Sequence, residues 1–191
     1  MRSHFVRGFE SIDNGSAWEV TLFEYPHFGA RSGSLGEQAI RTAASEAVQR
    51  MFEEDQRPLF LLGESLGSGP ACALAAASQP RVAGVFLITP YQSLAAMAEH
   101  RFPMFPTRWI LREQWDNDVE LSRFRGRVAV LLAANDEVIP VTQGRALYDA
   151  APGPKRLWIL PEATHNTVPF DAGVAWRREV SAFLLDSDHP R

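Results

Sequence analysis

Apolar residues fall into two rhythms that alternate along the chain. Short continuous apolar runs occupy residues 58–62 (PLFLL), 82–88 (VAGVFLI), 128–133 (VAVLLA) and 157–160 (LWIL). Runs of this kind predict strands of a parallel sheet buried on both faces. Residues 18–23 (WEVTLF), rich in β-branched and aromatic side chains, predict a further strand that ends at Tyr25-Pro26, where proline removes a ladder donor. Between the runs the spacing turns helical. Ala39, Ile40, Ala43, Ala47 and Met51 mark one face of a helix over 37–54. An alanine-rich helix is predicted over 66–78, ended by Gln79-Pro80, and further helices over 142–150 and 173–185. Phe5, Phe9 and Ile12 predict a short amphipathic helix broken at Asn14-Gly15, and the tail 186–191 is polar and expected to fray. Strand and helix in strict alternation predict an α/β architecture with a mostly parallel sheet and helices on both faces.

Residues 93–125 interrupt the rhythm, with helical pieces and no strand. Two prolines flank aromatics in Phe102-Pro103-Met104-Phe105-Pro106, and Trp109 and Trp115 follow. The segment reads either as a helical excursion packed on the core or as a small cap whose exposed aromatics meet an apolar substrate.

Composition narrows the class. The 191 residues, 46% hydrophobic and 22% charged, suffice for one domain spanning 1–191. A net charge of -4 argues against nucleic acid or an anionic membrane as the main partner. The single cysteine, Cys72, allows no internal disulfide and no thiolate metal site. No apolar run is long enough to span a bilayer, and the first residues lack a signal-peptide pattern, so the cytoplasm is the expected compartment. No cofactor or metal is expected, and the oligomeric state is not legible.

The chemistry begins at Gly63-Glu64-Ser65-Leu66-Gly67. The bare G-x-S-x-G pattern arises by chance in roughly one chain in twenty of this size. Here it directly follows a predicted strand and opens a predicted helix, the setting in which a serine is driven outward on a tight turn. A serine hydroxyl needs a base within hydrogen-bond reach. Of five histidines, His165 lies just past the last predicted strand, where a parallel sheet assembles its site. His4, His100 and His189 are not so placed, and His27 precedes the serine. Asp136, just past the strand at 128–133, is the candidate to orient the imidazole, with Glu137 as the adjacent alternative. The order Ser65, Asp136, His165 suits this arrangement.

These segments, with Leu87-Ile88-Thr89-Pro90-Tyr91-Gln92-Ser93-Leu94 and Asp136-Glu137-Val138-Ile139-Pro140, resemble serine hydrolases of the α/β-hydrolase superfamily, nearest to S33-like and depalmitoylase-like members. The resemblance covers nearly the whole chain. It implies a cofactor-independent hydrolase acting on a small-molecule or acyl ester or thioester through an acyl-enzyme at Ser65. Leu66 N–H would be an oxyanion donor, and Tyr25 and His27 would lie in the oxyanion or substrate region. Phe23-Glu24-Tyr25-Pro26-His27-Phe28-Gly29-Ala30-Arg31-Ser32-Gly33 matches the stretch after the family's fourth strand. The family usually has glycine where His27 stands, so that imidazole either narrows the pocket or faces solvent. The family's His-Gly loop, which supplies a second oxyanion donor, has no counterpart before Trp18. Where tested, loss of one such donor costs about 100- to 1000-fold in turnover. Hence two further expectations: a fold shortened at its N-terminus, through a misplaced start or a deletion, and, as the alternative function, an impaired hydrolase-like binding protein. The strands at 18–23 and 58–62 would then either pair directly or leave an edge open.

Overall fold

The computed structural model describes residues 18–104, 111–171 and 174–186. The helix predicted around Phe5–Ile12, His4, His189, Phe105, Pro106, Trp109 and all of the tail but Asp186 lie outside them. In chain order the elements are α1 (Glu37–Glu54), β1 (Leu59–Glu64), a 3-10 turn (Ser65–Gly67), α2 (Ser68–Ala77), β2 (Val82–Ile88), α3 (Leu94–Arg101), α4 (Asn117–Leu121), β3 (Arg127–Ala133), α5 (Val141–Ala150), β4 (Lys155–Leu160) and α6 (Ala175–Leu185).

The four strands form one parallel sheet in the order β1-β2-β3-β4. Each strand's alternate side chains feed one of two cores, as a pleat requires. On one face Val85, Leu87, Val128, Val130 and Leu132 pack with Ala71, Cys72 and Ala75 of α2 and Leu147 and Ala151 of α5. On the other, Phe86, Ile88, Ala129, Leu131 and Ala133 pack with Trp176, Val180 and Leu184 of α6. The burial of β2 and β3 on both faces explains their unbroken apolar sequence. α1 lies outside α2, with Ala44, Val48 and Leu74 buried between them.

Two sequence expectations are corrected here. The segment 58–62 was expected to be a central strand buried on both faces. It forms most of an edge strand instead: β1 pairs only with β2 among the described residues, and Leu62 is 37% exposed. Residues 18–23 form no strand and no ladder with β1. They touch β1 at one ring: Trp18 meets Phe60 edge-on and its Nε1 donates to Ser181 Oγ at 3.1 Å, while Phe23, like Leu59 and Leu61, packs against Ala44, Val48 and Leu74 on the opposite face. Side-chain burial on both faces therefore holds this segment without ladder hydrogen bonds. Of the two outcomes envisaged, direct pairing of 18–23 with 58–62 is not seen, and among the described residues β1 has no second ladder partner.

The excursion from β2 to β3 leaves and returns along one path. Ser93 caps α3 through the Ala96 N–H, Ser93 bridges Asp116, and Leu94 N–H donates to Gln114 O. Trp115 is only 5% exposed and lies under the Arg41 guanidinium, 5.0 Å from the ring centre. It is a packed side chain, whereas Phe102 and Met104 at the far end are exposed. No helix among the described residues is long and apolar enough to cross a membrane.

Candidate active site

β1 delivers the chain to the C-terminal edge of the sheet, where it must turn sharply into α2. Gly63 is required by close approach: a Cβ there would sit 2.6 Å from Gly67 O and 2.8 Å from Ala71 Cβ. Ser65 then takes φ 51, the left-handed region, which costs a non-glycine residue about 1–2 kcal/mol. That strain exposes the hydroxyl at the head of the turn. The helix expected over 66–78 accordingly starts as a 3-10 turn at Ser65 and becomes α-helical at Ser68.

β3 and β4 end beside each other, and their outgoing loops are tied together. Ala134 N–H donates to Leu160 O at 2.9 Å, and Asn135 N–H to Ala163 O at 3.0 Å. This fixes the distance between Asp136 and His165, 29 residues apart in the chain. Asp136 Oδ1 accepts the N–H groups of Val138 (2.9 Å) and Ile139 (2.7 Å), leaving Oδ2 for His165 Nδ1 at 2.8 Å. The Asp136 side chain is 3% exposed and that of His165 11%. This contact suits the tautomer with the proton on Nδ1 and the lone pair on Nε2. Nε2 lies 3.0 Å from Ser65 Oγ. Glu137, the alternative orienter, accepts the backbone N–H of His165 at 3.4 Å instead. Adjacent residues on the loop thus hold the ring and the backbone of one histidine.

The remaining candidates are less closely grouped. Leu66, whose N–H follows the nucleophile, is 58% exposed. Tyr25 is half-buried, edge-on to Phe28, with its hydroxyl 3.5 Å from where a Gly67 Cβ would stand. His27 is exposed, at φ 70. Phe28 N–H returns to Tyr25 O at 3.1 Å, making a four-residue turn with Pro26 second and His27 third. The third position of such a turn favours glycine, so the backbone explains why a family built around glycine there meets histidine only at some strain. His100 is exposed on α3. Among the described residues no group of three or more His, Cys, Asp or Glu could hold a metal ion.

Sequence reasoning did not find the polar residues behind the turn. Ser68 (0% exposed) donates its hydroxyl to Ser65 O at 2.7 Å. Asn117 (1% exposed) donates to Tyr91 O at 3.0 Å and to Ser68 Oγ at 3.4 Å. Gly69 lets Tyr91 and Trp115 close on α2, since a Cβ there would meet the Tyr91 hydroxyl at 2.6 Å and the Trp115 ring at 2.8 Å. Burial pushes the Tyr91 phenol well above its ordinary range. The Gly67-Ser68-Gly69 spacing was the one available signal. Asn117 is 49 residues from Ser68 and carries no pattern.

Against known proteins, no family model matches the chain. An uncharacterized protein of Mycobacterium tuberculosis is 30% identical over 177 residues, which cover 91% of this chain and 62% of that protein. The α/β hydrolase domain-containing protein aho-3 of Caenorhabditis elegans is 28% identical over 169 residues, covering 86% of this chain and 48% of that protein. The chain thus spans about three-fifths or less of the length of these relatives. Among solved structures, acetyl xylan esterase 1 from Thermoanaerobacterium superimposes with a TM-score of 0.59 at 19% identity, over 77% of this chain and 52% of that one. The parallel sheet, the helices on both its faces and this superposition agree: the chain has the α/β-hydrolase fold.

Proposed function

We propose that the chain is a serine hydrolase that cleaves a carboxylic ester or thioester through an acyl-enzyme at Ser65. The observation that carries this reading is the continuous chain Ser65 Oγ, His165 Nε2, His165 Nδ1, Asp136 Oδ2, with links of 3.0 and 2.8 Å. Ser65 Oγ attacks the carbonyl carbon as its proton passes to Nε2. Asp136 stabilises the imidazolium and keeps the ring aligned. The carbonyl oxygen, now negative, meets Leu66 N–H, with the Tyr25 hydroxyl beside the same turn as a second polar group. Collapse of the tetrahedral intermediate expels the alkoxide or thiolate, which takes the proton from Nε2. Water then repeats the sequence: Nε2 takes a proton from the attacking water and returns it to Ser65 Oγ as the acyl bond breaks, releasing the acid and free Ser65. The substrate is a small-molecule or acyl ester, and exposed Leu66 and Val138 beside the catalytic groups favour an apolar acyl or alcohol portion. The chain acts as a single domain, with 93–125 as a cap-like excursion whose exposed Phe102 and Met104 are available to substrate. His27, exposed on the turn that follows Tyr25, is a candidate substrate contact.

Hydrolysis of short p-nitrophenyl esters beside Ser65→Ala tests the reading, together with labelling by a fluorophosphonate. Wild type is expected to turn over and to label, and Ser65→Ala to do neither. Equal rates in the two proteins and no serine-dependent label would overturn it in favour of a hydrolase-like binding module.

A further inference from the structure

The oxyanion donor and the nucleophile share one peptide unit. The carbonyl of Ser65 and the N–H of Leu66 belong to the same planar group and point in opposite directions. Whatever fixes the Ser65 carbonyl therefore aims the Leu66 N–H. That carbonyl accepts the Ser68 N–H of the 3-10 turn and, at 2.7 Å, the Ser68 hydroxyl. A serine hydroxyl has one proton and rotates freely unless a second partner sets it. Here Asn117 Nδ2 donates to Ser68 Oγ at 3.4 Å, occupying a lone pair and leaving the proton for Ser65 O.

Asn117 is itself held in place. Its amide also donates to Tyr91 O at 3.0 Å, its backbone N–H donates to Trp115 O at 3.0 Å, and neighbouring Asp118 donates its N–H to Gln92 O at 3.3 Å. Asn117 and Ser68 are 1% and 0% exposed, and Asn117 Oδ1 has no partner among the described residues. A buried amide with an orphaned oxygen costs about 1–3 kcal/mol. Asn117 is kept at that cost, and its amide hydrogens go to Tyr91 O and Ser68 Oγ.

We infer that Ser68 and Asn117 form a positioning pair that orients the Ser65–Leu66 peptide so that Leu66 N–H faces the developing oxyanion. The pair matters more because Leu66 supplies the one backbone oxyanion donor assigned to this site. The inference rests on the acyl-enzyme reading above. Neither residue touches substrate.

The test is Ser68→Ala and Asn117→Leu, alone and combined, in the full chain. It reads kcat and KM on a p-nitrophenyl ester, the inhibition constant of an alkyl trifluoromethyl ketone, whose hemiketal oxygen occupies the oxyanion position, and the thermal midpoint. Ser68→Ala should lower kcat about tenfold, less than the 100- to 1000-fold for loss of a whole donor. KM should stay within about twofold, and ketone binding should weaken by the same factor as kcat. Asn117→Leu should act in the same direction by about threefold, and the double variant should be no worse than Ser68→Ala, because both act along one path. Ser68→Ala with unchanged kcat and ketone affinity would overturn the inference, as would multiplicative losses in the double variant. If Asn117→Leu fails to fold, Ser68→Ala decides alone. A wild type that neither turns over nor labels at Ser65 overturns the acyl-enzyme reading itself and this inference with it, a result distinct from an active enzyme indifferent to Ser68.

Discussion

Glu37 is the carboxylate on which the returning half of the 93–125 segment depends. It sits in the first turn of α1 and accepts the N–H of Gln114 (2.8 Å) and Trp115 (3.2 Å) through Oε2. Its Oε1 receives Arg41 Nε at 2.8 Å, and Glu113 in turn accepts the Glu37 N–H. The Glu37 side chain is 17% exposed, so water screens these bonds only in part. Burial by itself would raise its pKa, but the Gln114 N–H, the Arg41 guanidinium and the Trp115 N–H together outweigh it and hold the carboxyl below the ordinary glutamate value. A depressed carboxylate contributes stability that is present above its unfolded pKa and lost as pH falls through its folded pKa. Glu37→Gln keeps one acceptor oxygen and the shape but loses the charge. Hydrogen bonds to charged groups contribute about 1.5–3 kcal/mol, against about 0.5–1.5 for neutral ones. The change should therefore cost about 1–2 kcal/mol at pH 7. Urea unfolding of both proteins at several pH values between 7 and 3.5 measures it. The difference should hold down to about the unfolded carboxyl pKa, roughly 4.3, and shrink below it. A difference that is constant with pH, or absent at pH 7, would refute the reasoning.

Three other outcomes follow from the same geometry. Gly63→Ala places a Cβ 2.6 Å from the Gly67 carbonyl, which is backbone and has no alternative rotamer, so it should destabilise by about 2–3 kcal/mol or prevent folding, as read from soluble yield and urea midpoint. Leu131→Ala, at a position 0% exposed between Ile88 and Trp158 of the flanking strands in the α6-side core, should cost about 2–5 kcal/mol in urea unfolding. Asp136→Asn still offers an oxygen to the Val138 and Ile139 N–H groups, but its amide favours the wrong imidazole tautomer. Ester turnover should fall by about 10³–10⁴ with an unchanged thermal midpoint, and a loss under tenfold would remove Asp136 from the mechanism.

Where the sequence pattern was local, the fold was legible. The runs at 82–88 and 128–133 became β2 and β3 within a residue, because strands buried on both faces leave little choice but continuous aliphatics. The helix at 37–54 emerged with the bounds its apolar period predicts. The pattern misled where a strand's fate depends on its neighbours. WEVTLF has every local mark of a strand, yet a ladder needs a partner edge, and these residues find Phe60, Leu59 and Leu61 by side chain only. By the same reasoning the run at 58–62 reads as central because apolarity records burial and not position in the sheet. β1 keeps an apolar sequence at an edge because Leu59 and Leu61 pack into the α2-side core and Phe60 into the α6-side core, where Trp18 meets it.

The candidate site divides along the same line. Ser65, Asp136 and His165 each stand just past a strand end, and a parallel sheet gathers those ends at one edge, so local pattern plus topology was enough to single them out. The residues that hold the turn in place could not be found that way. Trp115 and Asn117 meet the nucleophile's helix from the returning half of the excursion, and Glu37 on α1 holds Gln114 and Trp115 from 77 and 78 positions away, through single contacts with no repeat to betray them. Their types are uninformative in isolation, since an asparagine or glutamate outside a strand reads as a solvated loop residue. What distinguishes them is burial with a specific partner, a property of the assembled excursion. The segment that looked like an appendage over the site is thus tied directly to its foundation, and its returning half bears on Ser65 from behind. Changes there should alter the chemistry at Ser65 before they alter which substrate is accepted.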